Sequence, residues 1–382
     1  MSVQTLRKME SSPPNWRQTL AEIGPQLAQE ESRCDTANAY VATNMVMLRE
    51  HGFLELGVPA ELGGGALSRT ELAEMLRELA HHSSATALAL SMHTHLVAAA
   101  AWRWRHQNAP TDGLLKRVAK ERLQLLSSGG SDWLPGSGKA VKVEGGYRVN
   151  ARKVFASGAP SAQLFMTMAI EENAAEGPTV IHFGVPMSAE GISIVETWDT
   201  LGMRGTGSHD VVMENVFVPD AAVGGRRKPG VWHPLMEIVT LVAFPLVYAV
   251  YTGVAEAARD LAVKAAARQR DASMIDAVGA LDTELTAARI ALASMVRFAE
   301  DARPGPDTSN TIFMHRALIE RAVLATLDQA LDVAGGAGYF RRLGLERLFR
   351  DGQGARFHPL RGAAQRRVAG RIALGLPIDE AA

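Results

Sequence analysis

The chain has 382 residues, more than one ordinary core holds, so two or three packed domains are expected. Apolar residues make up 47%, which excludes bulk disorder, and 40 basic against 41 acidic residues leave a formal charge of −1, which points away from nucleic-acid and membrane-surface partners. A single cysteine, Cys34, excludes an internal disulfide, no Cys/His spacing suggests a metal site, and the chain reads as cytoplasmic.

Met1 to Pro14 is polar without an apolar core, unlike a signal peptide. From Trp16 to about Arg122 the period is helical. Ser68-Arg69-Thr70-Glu71 is a capping box, followed by Leu72, Met75, Leu76 and Leu79 at helical spacing; Ala85 to Trp104 is a second, nearly apolar helix. The period then changes to two. Val141 and Val143 alternate with polar residues, Gly145-Gly146 makes a tight turn, and Tyr147 and Val149 alternate again, which predicts a hairpin. Leu164–Ala169, Thr179–Val185, Ile192–Val195 and Asp210–Val218 read as further short strands of a small barrel or sandwich. The run Arg226-Arg227-Lys228 reads as a solvated loop. From Val231 the chain is helical, with candidates at Leu235–Gln269, Ile275–Ala302, Asn310–Ala334 and Gln365–Leu374, which suggest a bundle. The uncharged stretch Ile238–Ala255 is interrupted by Pro245 and reads as a buried bundle helix, not a membrane span. These breaks give three domains: a helical 1–123, a β domain 124–228 and a helical bundle 229–382.

Familiar catalytic signatures are missing. Gly136-Ser137-Gly138-Lys139 fails as a phosphate loop because Trp133 stands at the upstream glycine position. His93 and His95 are two residues apart on different helix faces and read as packing residues, not a metal pair.

Three segments carry a resemblance. Leu201-Gly202-Met203-Arg204-Gly205-Thr206 with Val216-Phe217-Val218-Pro219, Ala334-Gly335-Gly336-Ala337-Gly338-Tyr339 with Leu345–Asp351, and Gly52–Gly64 occur in order along the chain. Together they resemble the acyl-CoA dehydrogenase family. The resemblance implies a mainly α chain with an N-terminal helical domain, a middle β barrel and a C-terminal four-helix bundle. It also implies a homotetramer and a flavin between the β domain and the bundle. By that resemblance Phe155 covers the flavin ring and the Ser157 hydroxyl bonds near its N5, both placed on one strand face by the period. Ser128, Gly130 and Ser131 resemble part of the loop beneath the flavin, and Arg204, Gly335 and Gly336 are the remaining family-motif residues assigned to the cofactor. The segment Arg268–Ser273 departs from the family's Arg-x-x-Phe-Gly, so FAD is the expected cofactor with FMN as the alternative.

The family's dehydrogenation needs a carboxylate to take the α-proton of an acyl thioester. At its two usual positions stand Pro359 and Ala243, while Glu237 lies about 9 Å and roughly 240° away along a helix and reads as surface or capping. His358, beside Pro359, resembles a histidine that faces the flavin in monooxygenases of the same fold and becomes the candidate acid–base group. The motif balance gives α,β-dehydrogenation of an acyl thioester as the first reading and oxygen transfer with reduced flavin as the alternative.

Overall fold

The computed structural model describes residues 15–378, and the signal-peptide expectation for Met1 to Pro14 lies outside the described residues. The N-terminal part holds α1 (Trp16–Ala37), α2 (Ala42–Glu50), α3 (Arg69–His82), α4 (Ser84–Gln107) and α5 (Asp112–Glu121). The capping box forms with both halves: Glu71 N–H donates to Ser68 Oγ at 3.2 Å, and Ser68 N–H donates to the Glu71 carboxylate at 2.9 Å.

Eight strands follow: β1 (Leu125–Ser127), β2 (Lys139–Val143), β3 (Gly146–Lys153), β4 (Leu164–Glu171), β5 (Thr179–Pro186), β6 (Ile192–Val195), β7 (Asp210–Pro219) and β8 (Val223–Arg227). They form one sheet in the order β6-β7-β3-β2-β4-β5-β8, with β1 parallel to β4 off that path. The predicted hairpin is β2–β3, with Val143 opposite Gly146. Two strands were not foreseen. One is the short β1; the other is β8, which contains the basic run. Arg227 is not solvated. It is 5% exposed and donates to the carbonyls of Leu134 at 2.6 Å and Trp133 at 3.0 Å, because those carbonyls need donors inside the core.

The C-terminal part holds α6 (Pro234–Ala265), α7 (Ala272–Asp301), α8 (Pro306–Ala334), α9 (Leu345–Gly352) and α10 (Gly362–Ala373). Helix α6 is long and apolar enough to cross a membrane, yet 94% of its most apolar window is buried. It packs against α3 and α4 on one side and α7, α8 and α9 on the other, which is why its stretch carries no polar face. Helix α8 stops where Gly335 adopts φ 55° and its N–H turns back to Leu331 and Asp332 carbonyls.

Candidate active site

A cavity of about 1250 Å³ opens where α4, the β4–β5–β8 face, the start of α6 and the segment after α9 converge. Its size suits a cofactor together with a small-molecule substrate. One stripe of α4 forms a wall: Leu88, Met92, His95, Leu96, Ala99, Arg103 and Gln107 recur at three- and four-residue spacing. The charged residues among the described lining are Arg103, Arg226, Arg350 and Arg361; no aspartate or glutamate joins them.

Phe155 and Ser157 both line this cavity, but not by strand alternation. Strand β3 ends at Lys153, and Phe155 turns into the left-handed region at φ 56°, a conformation that a bulky side chain rarely adopts. That turn holds the ring 56% exposed, edge-on to Trp198 at 5.9 Å. Ser157 Oγ lies 2.7 Å from Ser208 Oγ, which lies 2.7 Å from Thr206 Oγ1, which lies 2.9 Å from the Met203 carbonyl. The carbonyl only accepts, so Thr206 spends its proton there, Ser208 donates to Thr206, and Ser157 donates to Ser208. Ser157 therefore turns its lone pairs, an acceptor, toward any further partner in the cavity.

Ser128 and Gly130 also line the cavity. Ser128 Oγ accepts from Thr167 at 3.3 Å. At Gly130 a Cβ would stand 2.3 Å from Pro359 Cγ, so the loop and the C-terminal segment interlock. The Ser131 side chain lies outside the described residues. Arg204, Gly335 and Gly336 are not brought to the cavity. Arg204 donates to the Thr200 carbonyl at 2.9 Å, and the glycine pair closes α8.

His358, Pro359 and Ala243 all line the cavity, so the two vacant base positions and the histidine do converge. His358 Nε2 lies 2.8 Å from the Tyr251 hydroxyl. Burial pushes the Tyr251 phenol well above its ordinary value, so it keeps its proton and donates it, leaving the His358 proton on Nδ1. Burial, then the Arg316 cation, pushes His358 down to about 4. Arg316 is fully buried and holds the segment itself, donating to the carbonyls of Ala355 at 3.1 Å, Arg356 at 3.3 Å and His358 at 3.0 Å.

Glu237 is buried, 9% exposed, rather than a surface residue; it accepts from Trp232 Nε1 at 3.2 Å and does not line the cavity. His93 packs as expected, donating from Nε2 to the Leu54 carbonyl and accepting the Leu125 N–H at Nδ1. His95 does more. Its Nδ1 donates to the Ser91 carbonyl at 3.1 Å, which leaves Nε2 as an acceptor on the cavity wall. Trp133, passed over as a failed loop residue, is in an aromatic cluster with Trp232, Phe244 and Phe313, ring centroids 5.6–5.9 Å away, and its buried Nε1 has no partner among the described residues. An orphaned donor on a cavity wall and a hydroxyl presenting lone pairs fit a polar, nitrogen-rich ring such as a flavin, which offers both acceptors and N–H donors.

Comparison with known families agrees with this geometry. Residues 17–107 match the N-terminal domain, 127–216 the middle domain and 245–364 the C-terminal domain of acyl-CoA dehydrogenases. The chain belongs to the acyl-CoA dehydrogenase family, a family of flavin-dependent oxidoreductases. It is 28% identical to YdbM of Bacillus subtilis (strain 168), whose name assigns it to the acyl-CoA dehydrogenases, over 88% of this chain and 90% of that protein. It is also 28% identical to the amino sugar nitrososynthase DnmZ of Streptomyces peucetius, over 87% of this chain and 86% of that protein. Among solved structures, KijD3 in complex with FMN and dTDP-3-amino-2,3,6-trideoxy-4-keto-3-methyl-D-glucose superposes with a TM-score of 0.87 at 25% identity, covering 96% and 95% of the two chains.

Proposed function

We propose that this protein is a flavin-dependent monooxygenase built on the acyl-CoA dehydrogenase fold, acting on a small molecule with FMN or FAD in reduced form. One observation carries the reading: among the described residues, no carboxylate lines the cavity. Removal of an α-proton beside a thioester needs such a base, whereas oxygen transfer needs a group that holds or releases a proton near the acceptor. This reverses the order of the two readings that the sequence favours. The kinship with a nitrososynthase and with an FMN-bound sugar-nucleotide enzyme supports it.

Bound reduced flavin would supply the activation of dioxygen. The chain's own residues do the rest. Phe155 and Trp198 would cover one side of the ring, and Ser157, oriented by Ser208 and Thr206, accepts a hydrogen bond of the kind that a reduced flavin N5–H donates. His358, fixed through Nε2 by Tyr251, holds its proton on Nδ1 and can pass it on. The aromatic cluster at Trp133 and Phe244 keeps that end of the cavity dry. We further propose a homotetramer, as the family resemblance implies.

The test is anaerobic against aerobic flavin spectroscopy. A panel of acyl-CoAs added to the oxidised holoprotein without oxygen leaves the flavin absorbance unchanged, while reduced holoprotein mixed with oxygen is reoxidised through a pathway that His358→Ala alters. Anaerobic bleaching by any acyl-CoA would restore the dehydrogenase reading.

A further inference from the structure

The cavity has a second polar end, remote from Ser157. Gly158 packs over the Ala89 region of α4, and Arg103 lies 14 residues further along the same stripe, about 20 Å by helical rise. At that end stand Arg103, Gln107, His182 and His233. Two glycines on β8 keep the space in front of His182 open: a Cβ at Gly224 would meet nothing within 4 Å, and Gly225 pairs opposite His182 with only its Cβ in reach.

The charges here do not balance. Lys153 is neutralised by Asp132 at 2.7 Å, and Arg226 by Glu171 at 3.2 Å. Among the described residues, Arg103 and Arg227 have no ion-pair partner. Arg103 bonds only the Gln107 amide oxygen at 3.4 Å, and Arg227 bonds backbone carbonyls and His182 Nε2 at 3.1 Å. The hydrogen bonds of the buried Arg227 guanidinium all go to neutral acceptors, and the carboxylate whose charge it feels, Asp132, is already ion-paired with Lys153, so two cations share one anion in a low-dielectric interior. The same excess is felt by His182, which burial and then Arg227, His233, Lys153 and Arg103 push down to about 4.

We infer that this end, formed by Arg103, His182 and His233 over Arg227, is an anion subsite that holds a phosphate or carboxylate of the substrate. The inference rests on the flavoenzyme reading only in taking Ser157 as the flavin end. Phosphate could also reach the site as part of the cofactor, and titrations with FMN and with riboflavin tell the two sources apart. The substrate is therefore an elongated molecule with its reacting group near His358 and an anionic handle at the far end. The apolar α4 stripe of Leu88, Met92, Leu96 and Ala99 would cover the part between them.

The experiment is calorimetric titration of the holoprotein with inorganic phosphate at fixed ionic strength, in wild type, Arg103→Gln and Arg103→Lys, alongside titration of the apoprotein with FMN and with riboflavin. The expected result is phosphate binding that weakens about 10- to 100-fold in Arg103→Gln, the usual worth of a charge-assisted contact, and recovers in Arg103→Lys. FMN and riboflavin affinities stay unchanged in both variants. Two results overturn the inference: phosphate that binds wild type and Arg103→Gln alike or not at all, or an Arg103→Gln protein that loses affinity for FMN but not riboflavin, which would assign the pocket to the cofactor phosphate. None of these readouts needs oxygen or turnover, so a failure of the monooxygenase reading leaves them intact.

Discussion

Replacing Arg316 by methionine tests how the His358 segment is held. The guanidinium is fully buried in α8, lies 5.5 Å from the Tyr248 ring centre, and pairs with Glu320 one turn on. Its Nη2 alone serves three carbonyls at 3.0–3.3 Å, those of Ala355, Arg356 and His358. Methionine fills similar volume but donates nothing, so it strands those carbonyls and leaves Glu320 without its cation. Breaking one side of a buried ion pair costs about 3–5 kcal/mol. Solvent that reaches Glu320, 20% exposed, offsets part of this, and we expect a loss near the lower end of that range. Urea unfolding reads it as a lower midpoint at unchanged slope. The same variant removes the cation that helps depress His358, so imidazole NMR should show its pKa rising from about 4 toward the ordinary value. A midpoint shift under about 0.5 kcal/mol, a typical surface effect, would refute the assignment of Arg316 as the anchor of this segment.

His358→Ala should slow oxygen transfer by about 10²–10⁴-fold while flavin affinity, measured by fluorescence quenching, stays within a few-fold; unchanged turnover would reduce His358 to a packing residue. Gly130→Ala drives a methyl into the Pro359 ring and should destabilise the protein by about 1–3 kcal/mol and weaken flavin binding; a variant as stable as wild type would contradict the interlock of loop and segment. His93 and His95 are both pushed by burial down to about 4, below their unfolded value, so each fold contribution is complete above pH 6.5 and is lost as pH falls toward 4, by up to about 3 kcal/mol per ring. Urea midpoints should hold between pH 7 and 8 and drop steadily below 6.5; a flat profile to pH 5 would count against charged-state burial. Light scattering should give four times the 41.0 kDa chain mass, and a 41.0 kDa species at micromolar concentration would reject the tetramer.

What the sequence made legible were features with a local cause. Ser68 and Glu71 sit three apart and need only each other to cap α3. Gly145-Gly146 fixes the β2–β3 turn, and Gly335 ends α8, because each conformation depends on one or two residues. Helix α6 was legible as a buried element because both of its faces are apolar. Strand β8 was not. Its sequence, Val223-Gly224-Gly225-Arg226-Arg227, has no alternating apolar face and is held by pairing to β5, and Arg227 is buried by carbonyls from a loop some ninety residues earlier. The resemblance pointed to Phe155 and Ser157, which line the cavity, but the strand face assigned to them was misread, since a left-handed φ leaves no trace in a hydrophobic pattern. Tyr251, Trp133, Ser208 and His95 join the site only through the convergence of distant segments, and no spacing along the chain announces them.

The missing base is a matter of where carboxylates are committed as well as where they are absent. Asp351 lies only seven residues before His358, yet it does not face the cavity. It is 1% exposed, accepts the Met203 N–H and lies 2.6 Å from Ser84 Oγ, which lies 2.6 Å from Glu31 as well. One hydroxyl proton cannot serve both carboxylates at once, and burial, with Glu31 beside it, raises Asp351 above the ordinary carboxylate range. That arrangement ties α1, α4, α9 and the Met203 loop together and leaves nothing to accept a proton from a substrate. Glu256, 1% exposed, is engaged by Arg77, His81 and Arg289, and Glu237 by Trp232. The buried acids of α6 and α9 are thus used as joints between elements. The cavity they surround is lined by His95, His182, His233, His358, Tyr251 and hydroxyls such as Ser157, together with arginines, a set suited to holding anions and passing single protons rather than to abstracting one from carbon.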